Sequence, residues 1–341
     1  MTSNILRQFG LIEGEYELQP FGNGLINKTW SVKSKVEGEK FILQRLNRSV
    51  FLNPEDIAFN IRLIADYLEQ EHPDYLFVSP LKSVTGQDLV YEGEEVYRLL
   101  PFVKGSNTID TVLDPAQAYE AAKQFGRFTR FSSRLEVSKL RITIPDFHNL
   151  SLRFQQFEKS LIHGNKERIR QSRELIIFVQ QKINIAGEFE FEKTDLKIRC
   201  THHDTKISNV LFDENDRGIC IIDLDTLMPG YFISDVGDMM RTYLSPANEE
   251  EKDFSAIRIR PEIYNAIVNG YLSEMQEELT DFEKGYFHFA GKFMVYMQAL
   301  RFLTDHINND IYYGSRYAGH NFVRAGNQVT LLKRLLEFDS G

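Results

Sequence analysis

The chain has 341 residues, of which 42% are apolar and 26% are charged, and its formal net charge is −9. Proteins that bind nucleic acid usually carry a basic face, so this acidic composition argues against such a partner. No apolar run approaches the roughly 18 residues that a membrane span requires, and Met1 to Gln8 lack the apolar stretch of a signal peptide. The two cysteines, Cys200 and Cys220, have no CxxC spacing, which fits a reducing compartment. We therefore predict a cytoplasmic protein with neither nucleic-acid nor membrane partners.

The first hundred residues predict a small lobe of about five strands and one helix. Short β-prone runs, punctuated by glycines, cover residues 16–21, 29–36, 40–46, 76–80 and 96–103. A helix is predicted from about Pro54 to Gln70, with Asn53 as its N-cap and a proline at its first position. Apolar residues recur in it at the spacing of one helix face: Ile57, Ile61, Ile64 and Leu68.

After Lys104-Gly105 the pattern changes to long amphipathic segments. Helical periodicity covers about residues 115–132, 152–184 and 262–341, and one strand-rich segment at residues 197–227 interrupts it. The sequence therefore predicts an α+β fold. A sheet-rich N-terminal lobe spans residues 1–103, a connector lies near residues 101–106, and a large, mainly helical C-terminal lobe spans residues 104–341.

The strand-rich segment contains Asp204, Asn209 and Asp223 in a characteristic arrangement. Apolar residues 210–212 and 219–222 flank a polar turn, a pattern that is typical of a β-hairpin. Such a hairpin would bring Asn209 and Asp223 together at its open end. Asp204 would then lie close by, on the loop that leads into the first strand.

These three residues have the order and spacing that phosphoryl transfer requires. A carboxylate must orient and deprotonate the attacking hydroxyl, and an Asn and an Asp must hold Mg²⁺ against the nucleotide phosphates. The protein-kinase signature likewise places an asparagine five residues after the catalytic aspartate and a second aspartate farther along. We therefore predict Asp204 as the base, Asn209 and Asp223 as magnesium ligands, and Lys206 as a cation beside the transferred group.

The same segment resembles the aminoglycoside and choline phosphotransferases, whose fold is similar to that of the protein kinases. His203-Asp204, Asn209 and Ile222-Asp223-Leu224 correspond to the H-G-D…N…I-D-F/L pattern of that family. The resemblance implies a protein-kinase-like, two-lobed fold with ATP and Mg²⁺ held between the lobes.

More segments look like those of the bacterial N-acetylhexosamine 1-kinases, at residues 205–209, 221–230, 301–303, 310–312 and 320–324. This resemblance implies ATP-dependent phosphorylation of the anomeric hydroxyl of N-acetylglucosamine or N-acetylgalactosamine. It suggests that His148, Arg301 and Tyr317 bind the acceptor together with Asp204. The expected partners are a sugar and a nucleotide, with the chain a monomer or weak dimer.

Nucleotide contacts are predicted from two parts of the N-terminal lobe. Gly22 and Gly24 lie between two predicted strands, where a loop can bring backbone N–H groups to phosphates, and Asn27 takes the place of a third glycine. The connector would offer backbone and apolar groups to the adenine through Pro101, Phe102 and Val103.

Gln44 stands on the strand where protein kinases carry a phosphate-binding lysine. We include it among the nucleotide contacts, but the missing positive charge must come from elsewhere. Lys28, Arg45 and Lys206 are the candidates; strand alternation turns Arg45 to the opposite face, so Lys206 is favoured. Arg62, where the helix partner of that lysine is expected, is given no catalytic role.

Three further aspartates follow the metal motif. Asp225 is expected either to touch the metal or to hold the loop, and both readings stay open. Asp235 and Asp238 stand near the start of a predicted helix, where aspartates commonly cap the helix or complement its dipole.

Two alternatives to a sugar kinase remain. One is a kinase for another small alcohol, such as an aminoglycoside, choline, homoserine or methylthioribose. Cationic acceptors favour sites with many carboxylates, whereas His148, Arg301 and Tyr317 suit a neutral polyol better. The other is an inactive pseudokinase that serves as a binding module, a reading that Gln44 and Arg62 favour and that the intact acidic motif opposes.

Overall fold

The computed structural model describes residues 2–12, 14–22, 26–36, 38 and 40–338. Its N-terminal part is a five-stranded antiparallel sheet in the order β1-β2-β3-β5-β4. The elements of this part are helix α1 (Thr2–Gln8), strands β1 (Tyr16–Pro20), β2 (Lys28–Ser34) and β3 (Lys40–Arg45), helix α2 (Pro54–Glu71), and strands β4 (Val90–Glu92) and β5 (Glu95–Pro101).

The apolar residues of this part divide among three clusters. Val32 of β2, Leu43 of β3 and Leu99 of β5 pack with Ile5 and Leu6 of α1, and a smaller cluster consists of Leu46, Leu89 and Val96. The predicted apolar face of α2, by contrast, joins the main core that it shares with the helical part of the chain. Helix α2 therefore anchors the sheet to the rest of the molecule.

The predicted strand at residues 76–80 was wrong, because this segment is irregular. Phe77 stacks on Phe128 at 6.0 Å between ring centroids, so the segment packs against a helix of the C-terminal part. Pro80 also lacks the N–H that a ladder hydrogen bond needs. The fifth strand is instead β4. The predicted N-cap Asn53 precedes α2, but its side chain makes no capping hydrogen bond.

The C-terminal part is mainly helical, with two short antiparallel strand pairs, β6-β9 and β7-β8. Its helices are α3 (Pro115–Phe131), α4 (Leu150–His163), α5 (Lys166–Gln171), α6 (Arg173–Gln181), α7 (Asn184–Glu192), α8 (Phe232–Tyr243), α9 (Pro261–Met275), α10 (Asp281–Gly285), α11 (Phe287–Ile307) and α12 (His320–Glu337). Its strands are β6 (Ile198–Thr201), β7 (Val210–Phe212), β8 (Gly218–Ile221) and β9 (Met228–Tyr231).

Two of the predicted long helices are interrupted by capping residues. The segment 152–184 breaks after α4, where Asn165 accepts hydrogen bonds from the backbone of α5 and starts a new helix. The segment 262–341 breaks at Thr280, which forms a capping box with Glu283. Amphipathic periodicity continues across such breaks, so it predicted too few helices.

Helix α11 is the centre of the main core and is buried along almost its whole length. Helices α3 and α9 pack closely because two glycines remove side chains from their contact. A Cβ atom on Gly126 would lie 2.9 Å from the backbone oxygen of Tyr271, and one on Gly270 would lie 2.4 Å from that of Tyr119. The predicted α+β organisation is confirmed. No helix among the described residues is both long and apolar enough to cross a membrane.

Candidate active site

Asp204 lies on the loop between β6 and β7, and the start of α8 holds that loop. The Asp235 carboxylate accepts hydrogen bonds from the backbone N–H groups of His202 (3.1 Å) and His203 (2.7 Å). Asp238 accepts one from the backbone N–H of Thr205 at 2.9 Å. These bonds stabilise the left-handed backbone of His203, whose φ is 67°. Asp235 and Asp238 thus hold the loop on both sides of Asp204 and do not cap their own helix, for which Tyr231 is the N-cap residue.

The Asp204 carboxylate has two close polar neighbours. Lys206 Nζ lies 3.0 Å from Asp204 Oδ1. The Asn209 amide donates to the Asp204 backbone oxygen at 2.8 Å and to Oδ2 at 3.3 Å. Burial alone would raise the pKa of Asp204, but the Lys206 ammonium outweighs it and holds that pKa below its usual range. Asp204 is therefore ionised at neutral pH and able to accept a proton.

Strands β7 and β8 form the predicted hairpin, with Val210 opposite Ile221. The backbone N–H of Ile222 donates to the Asn209 backbone oxygen at 2.8 Å. Asn209 therefore lies opposite the residue that precedes Asp223, at the open end of the hairpin. Asp223 itself has a left-handed backbone, with φ 60°. Part of Asp223 is accessible to solvent.

Few protein groups stabilise the negative charge of the Asp223 carboxylate. It accepts no hydrogen bond from the residues that the structure describes. Desolvation by the surrounding protein raises its pKa to about 7, and repulsion by Asp225 and Asp204 adds to this shift. The Asn209 amide uses its NH₂ group on Asp204, which leaves its oxygen for another partner. A divalent cation would satisfy both oxygens, which are the hard ligands that Mg²⁺ prefers.

Asp225 belongs to a network that joins the sheet to this loop. Its Oδ1 forms an ion pair with Arg98 Nη1 at 2.5 Å, and its Oδ2 accepts from the Asn27 amide at 2.7 Å. Arg98 lies opposite Gln44 in the β3-β5 register and donates from Nε to the Gln44 amide oxygen at 2.9 Å. Asn27 and Gln44, both predicted nucleotide contacts, thus make protein contacts in this network. Sequence analysis missed Arg98, since nothing in a strand of that composition marks one residue as functional.

The three cations that sequence analysis proposed for the phosphates are either exposed or already paired. Arg45 Nη1 pairs with Glu95 at 2.9 Å, and Lys28 is exposed at the start of β2. Lys206 pairs with Asp204. Arg62 binds Asp88 and the backbone oxygen of Pro80.

The predicted adenine-binding connector follows directly from the end of β5. The Phe102 ring lies 3.9 Å below Lys40 Nζ and 6.4 Å from the Phe21 ring. Pro101 is the last residue of β5, and the Val103 oxygen accepts from the Ser106 hydroxyl at 2.7 Å. In the predicted glycine loop, Gly22 has a positive φ of 76°. Gly24 lies outside the described residues.

His148, a predicted acceptor residue, packs against the residue that precedes Asp204. Its Nδ1 lies 3.3 Å from Nδ1 of His203, the residue before Asp204, and 3.0 Å from the Ser234 hydroxyl. Burial lowers the pKa of His203 to about 4. Burial, followed by the charges of His203 and Arg301, lowers the pKa of His148 well below its usual range. Both imidazoles are therefore neutral at pH 7.

Arg301 is connected to His148 through an aromatic ring. Phe147 stacks on His148 at 4.4 Å, and the Arg301 guanidinium lies 5.5 Å from the Phe147 ring centre. Arg301 also lines a cavity of about 470 Å³ between α4 and α11, with Tyr312 and Tyr313. No carboxylate among the described residues forms an ion pair with Arg301.

Tyr317 lies elsewhere, beside a different group of side chains. Its ring is 4.3 Å from Lys252 Nζ and 4.8 Å from the His320 ring. Its hydroxyl is buried and has no hydrogen-bond partner in the described part of the chain. The structure therefore brings His148 and Arg301 together through Phe147, and it does not place Tyr317 in contact with them.

Comparison with known proteins gives a consistent match. Residues 17–279 match the phosphotransferase enzyme family, APH. Similar solved structures include a microcompartment-associated aminopropanol kinase (17% identity, TM-score 0.64, covering 99% of this chain and 98% of that one). Choline kinase from Cryptosporidium parvum Iowa II is 15% identical (TM-score 0.64, 98% and 96% covered). Spectinomycin phosphotransferase, solved with ADP and spectinomycin, is 11% identical (TM-score 0.59, 99% and 98% covered). Solved structures with such low sequence identity are evidence for the fold alone. They confirm the predicted kinase-like fold.

Proposed function

Because this chain belongs to the phosphotransferase enzyme family, we propose that it is a kinase that uses ATP and Mg²⁺ to phosphorylate the anomeric hydroxyl of an N-acetylhexosamine. Membership of this family makes the protein a small-molecule phosphotransferase. The observation that carries the kinase assignment is the position of Asn209 at the open end of the β7-β8 hairpin. Its amide bonds to Asp204, and its backbone oxygen accepts from Ile222, the residue before Asp223. The sugar assignment rests on the resemblance described above and on the charge of the acceptor side.

In the proposed reaction, the Asp204 carboxylate accepts the proton of the acceptor hydroxyl as the acceptor oxygen attacks the γ-phosphorus of ATP. The bond between the γ-phosphorus and the bridging oxygen breaks, and ADP leaves. Lys206, 3.0 Å away, keeps Asp204 ionised and offsets charge on the transferred group. Asn209 and Asp223 would hold Mg²⁺, which when bound neutralises phosphate charge. No three His, Cys, Asp or Glu side chains cluster to hold a metal in the described residues. The remaining positions therefore fall to phosphate oxygens and water, as is usual for Mg²⁺.

The charge of the acceptor side supports a neutral acceptor over a cationic one. His148 is neutral, and Arg301 and Arg153 bring positive charge to the cavity. The one acidic residue that lines it, Asp305, is already bonded by the backbone N–H groups of Tyr312 and Tyr313. An aminoglycoside or choline would therefore meet cations, whereas sugar hydroxyls and an acetamide oxygen can accept hydrogen bonds from them.

A screen for ADP release over N-acetylhexosamines, other sugars and amino alcohols tests the proposal. We expect turnover with N-acetylglucosamine or N-acetylgalactosamine, and phosphorus NMR should identify a glycosyl 1-phosphate. That product is non-reducing, whereas a 6-phosphate still reduces copper. Turnover of amino alcohols alone, or a reducing product, would end the sugar 1-kinase assignment. ADP binding without turnover of any acceptor would favour the pseudokinase.

Replacing Arg301 with alanine should raise the sugar KM and leave the ATP KM nearly unchanged. A hydrogen bond to a charged group contributes about 1.5–3 kcal/mol, so we expect a rise of about 10–150-fold. Arg334→Ala is the matched control, because Arg334 lies exposed on α12 and pairs with Glu337. A sugar KM within twofold of the wild-type value would exclude Arg301 from the acceptor site.

Magnesium affinity should depend on pH through Asp223. Its pKa of about 7 without metal means that Mg²⁺ must displace a proton below that pH, because the metal binds the ionised carboxylate. We therefore expect Mg²⁺-dependent ADP binding to weaken about tenfold per pH unit from pH 7 to pH 5. Nucleotide phosphates also titrate near pH 6. Calorimetry on Asp223→Asn, which has no titrating group at this position, measures how much the phosphates contribute to the pH dependence. Equal pH slopes in the two proteins would contradict the assignment.

A further inference from the structure

The structure places one buried cation, Arg98, where the sheet, the turn before β2 and the proposed metal-binding loop (residues 222–227) meet. In protein kinases the β3 lysine holds the α/β-phosphates and pairs with a glutamate on the following helix. Here β3 carries Gln44, and Arg62 of α2 is bonded to Asp88. Neither member of that pair is present.

Arg98 occupies the equivalent space from the neighbouring strand. It is the cross-strand partner of Gln44, and its Nε donates to the Gln44 amide oxygen at 2.9 Å. Residues directly opposite in an antiparallel pair project on the same face of the sheet. The Arg98 guanidinium therefore lies against the tip of the side chain that stands in the lysine position.

The anion that pairs with Arg98 comes from the metal-binding loop. Asp225 Oδ1 lies 2.5 Å from Arg98 Nη1, and the two side chains are only 2% and 3% exposed. Asp225 follows the proposed metal ligand Asp223 by two residues, and its other oxygen accepts from Asn27 in the turn before β2. The pair thus lies among the three elements proposed to surround the nucleotide phosphates.

Stability alone does not explain a buried ion pair in this position. Replacing such a pair with apolar residues is often neutral or stabilising, because desolvation offsets most of the attraction. Arg98 Nη2 also donates no hydrogen bond to any group in the described part of the chain. A guanidinium presents several donors in a plane and suits phosphate oxygens well.

We propose that Arg98 supplies the positive charge to the nucleotide phosphates that the β3 lysine supplies in protein kinases, while Asp225 and Gln44 orient it. The inference rests on the proposed function, since it requires a nucleotide in the cleft. It replaces the expectation that Lys206 provides this charge.

The test compares the binding of ADP and of adenosine by calorimetry in the presence of Mg²⁺. The first variant is Arg98→Gln combined with Asp225→Asn, which removes both charges and leaves neither one buried alone. We expect it to melt close to the wild type and to bind ADP about 10–150-fold more weakly. Adenosine, which has no phosphate, should bind as it does to the wild type.

Two further variants separate a phosphate contact from a structural role. Adding Gln44→Lys to that double variant returns a cation to the β3 position, and ADP affinity should recover by at least tenfold. Asp225→Asn alone keeps the Arg98 charge and loses only its orientation, so it should weaken ADP binding much less than the double variant does. A purely structural pair would suffer equally from loss of either member.

Unchanged ADP affinity in the double variant, or equal loss of ADP and adenosine, would overturn the role of Arg98. Failure of the wild-type protein to bind ADP at all would instead overturn the proposed function.

Discussion

Asp204→Asn should lower kcat by roughly 10²–10⁴-fold, the usual contribution of a positioned general base. Asparagine keeps the shape of the side chain and can still accept the Asn209 hydrogen bond, which is 3.3 Å long, but it cannot take the acceptor proton. The nucleotide KM should change little, because Asp204 is proposed to act on the acceptor hydroxyl. Coupled ADP-release kinetics at saturating sugar and magnesium measure both constants.

Two controls make the Asp204 result interpretable. The melting temperature should stay near that of the wild type, since the loop is held mainly by Asp235 and Asp238 through its backbone. Raising the magnesium concentration should not restore the rate. A variant that keeps more than about a third of the wild-type kcat would show that another group accepts the proton.

The hairpin that carries the proposed metal ligands was predictable because its signals are local. Two apolar runs flank a polar turn, and side-chain alternation fixes which residues face each other across it. Val210 opposite Ile221 is the pairing that results, and it places Asn209 opposite Ile222, the residue before Asp223. The spacing from Asp204 to Asn209 is likewise a property of a few consecutive residues.

The residues that hold this site were not predictable in the same way. Asp235 reaches back to His202 and His203, and Arg98 reaches Asp225 from a strand more than a hundred positions earlier. Near the start of a helix, Asp235 has the appearance of a capping residue. Only the packing of α8 against the loop shows that its carboxylate accepts hydrogen bonds from another segment.

Strand prediction failed where composition and tertiary contact disagreed. Residues 76–80 are as apolar as a strand, but Phe77 packs on Phe128 of α3 and draws the segment away from the sheet edge. The short β4, with only three residues, carries too little periodicity to be recognised. Local patterns therefore predicted the β7-β8 hairpin better than the path of the chain between the elements of the sheet.

Asp223→Asn should lower kcat/KM at 1 mM magnesium by about 10²-fold or more, since a bound metal contributes several kcal/mol to phosphate chemistry. Asparagine is the appropriate replacement because Asp223 has φ 60°, a left-handed conformation that asparagine tolerates and alanine does not. The substitution removes the charge but leaves an oxygen, so higher magnesium should restore part of the activity.

This partial rescue separates Asp223 from Asp204, whose loss magnesium should not repair. Asp216→Asn is the matched control, because Asp216 also has a left-handed backbone, with φ 57°, but lies exposed at the far end of the same hairpin. It should retain wild-type kinetics and magnesium dependence. If Asp223→Asn behaves like this control at 1 mM magnesium, the metal must bind elsewhere, and the raised pKa of Asp223 would reflect only its desolvation and the neighbouring carboxylates.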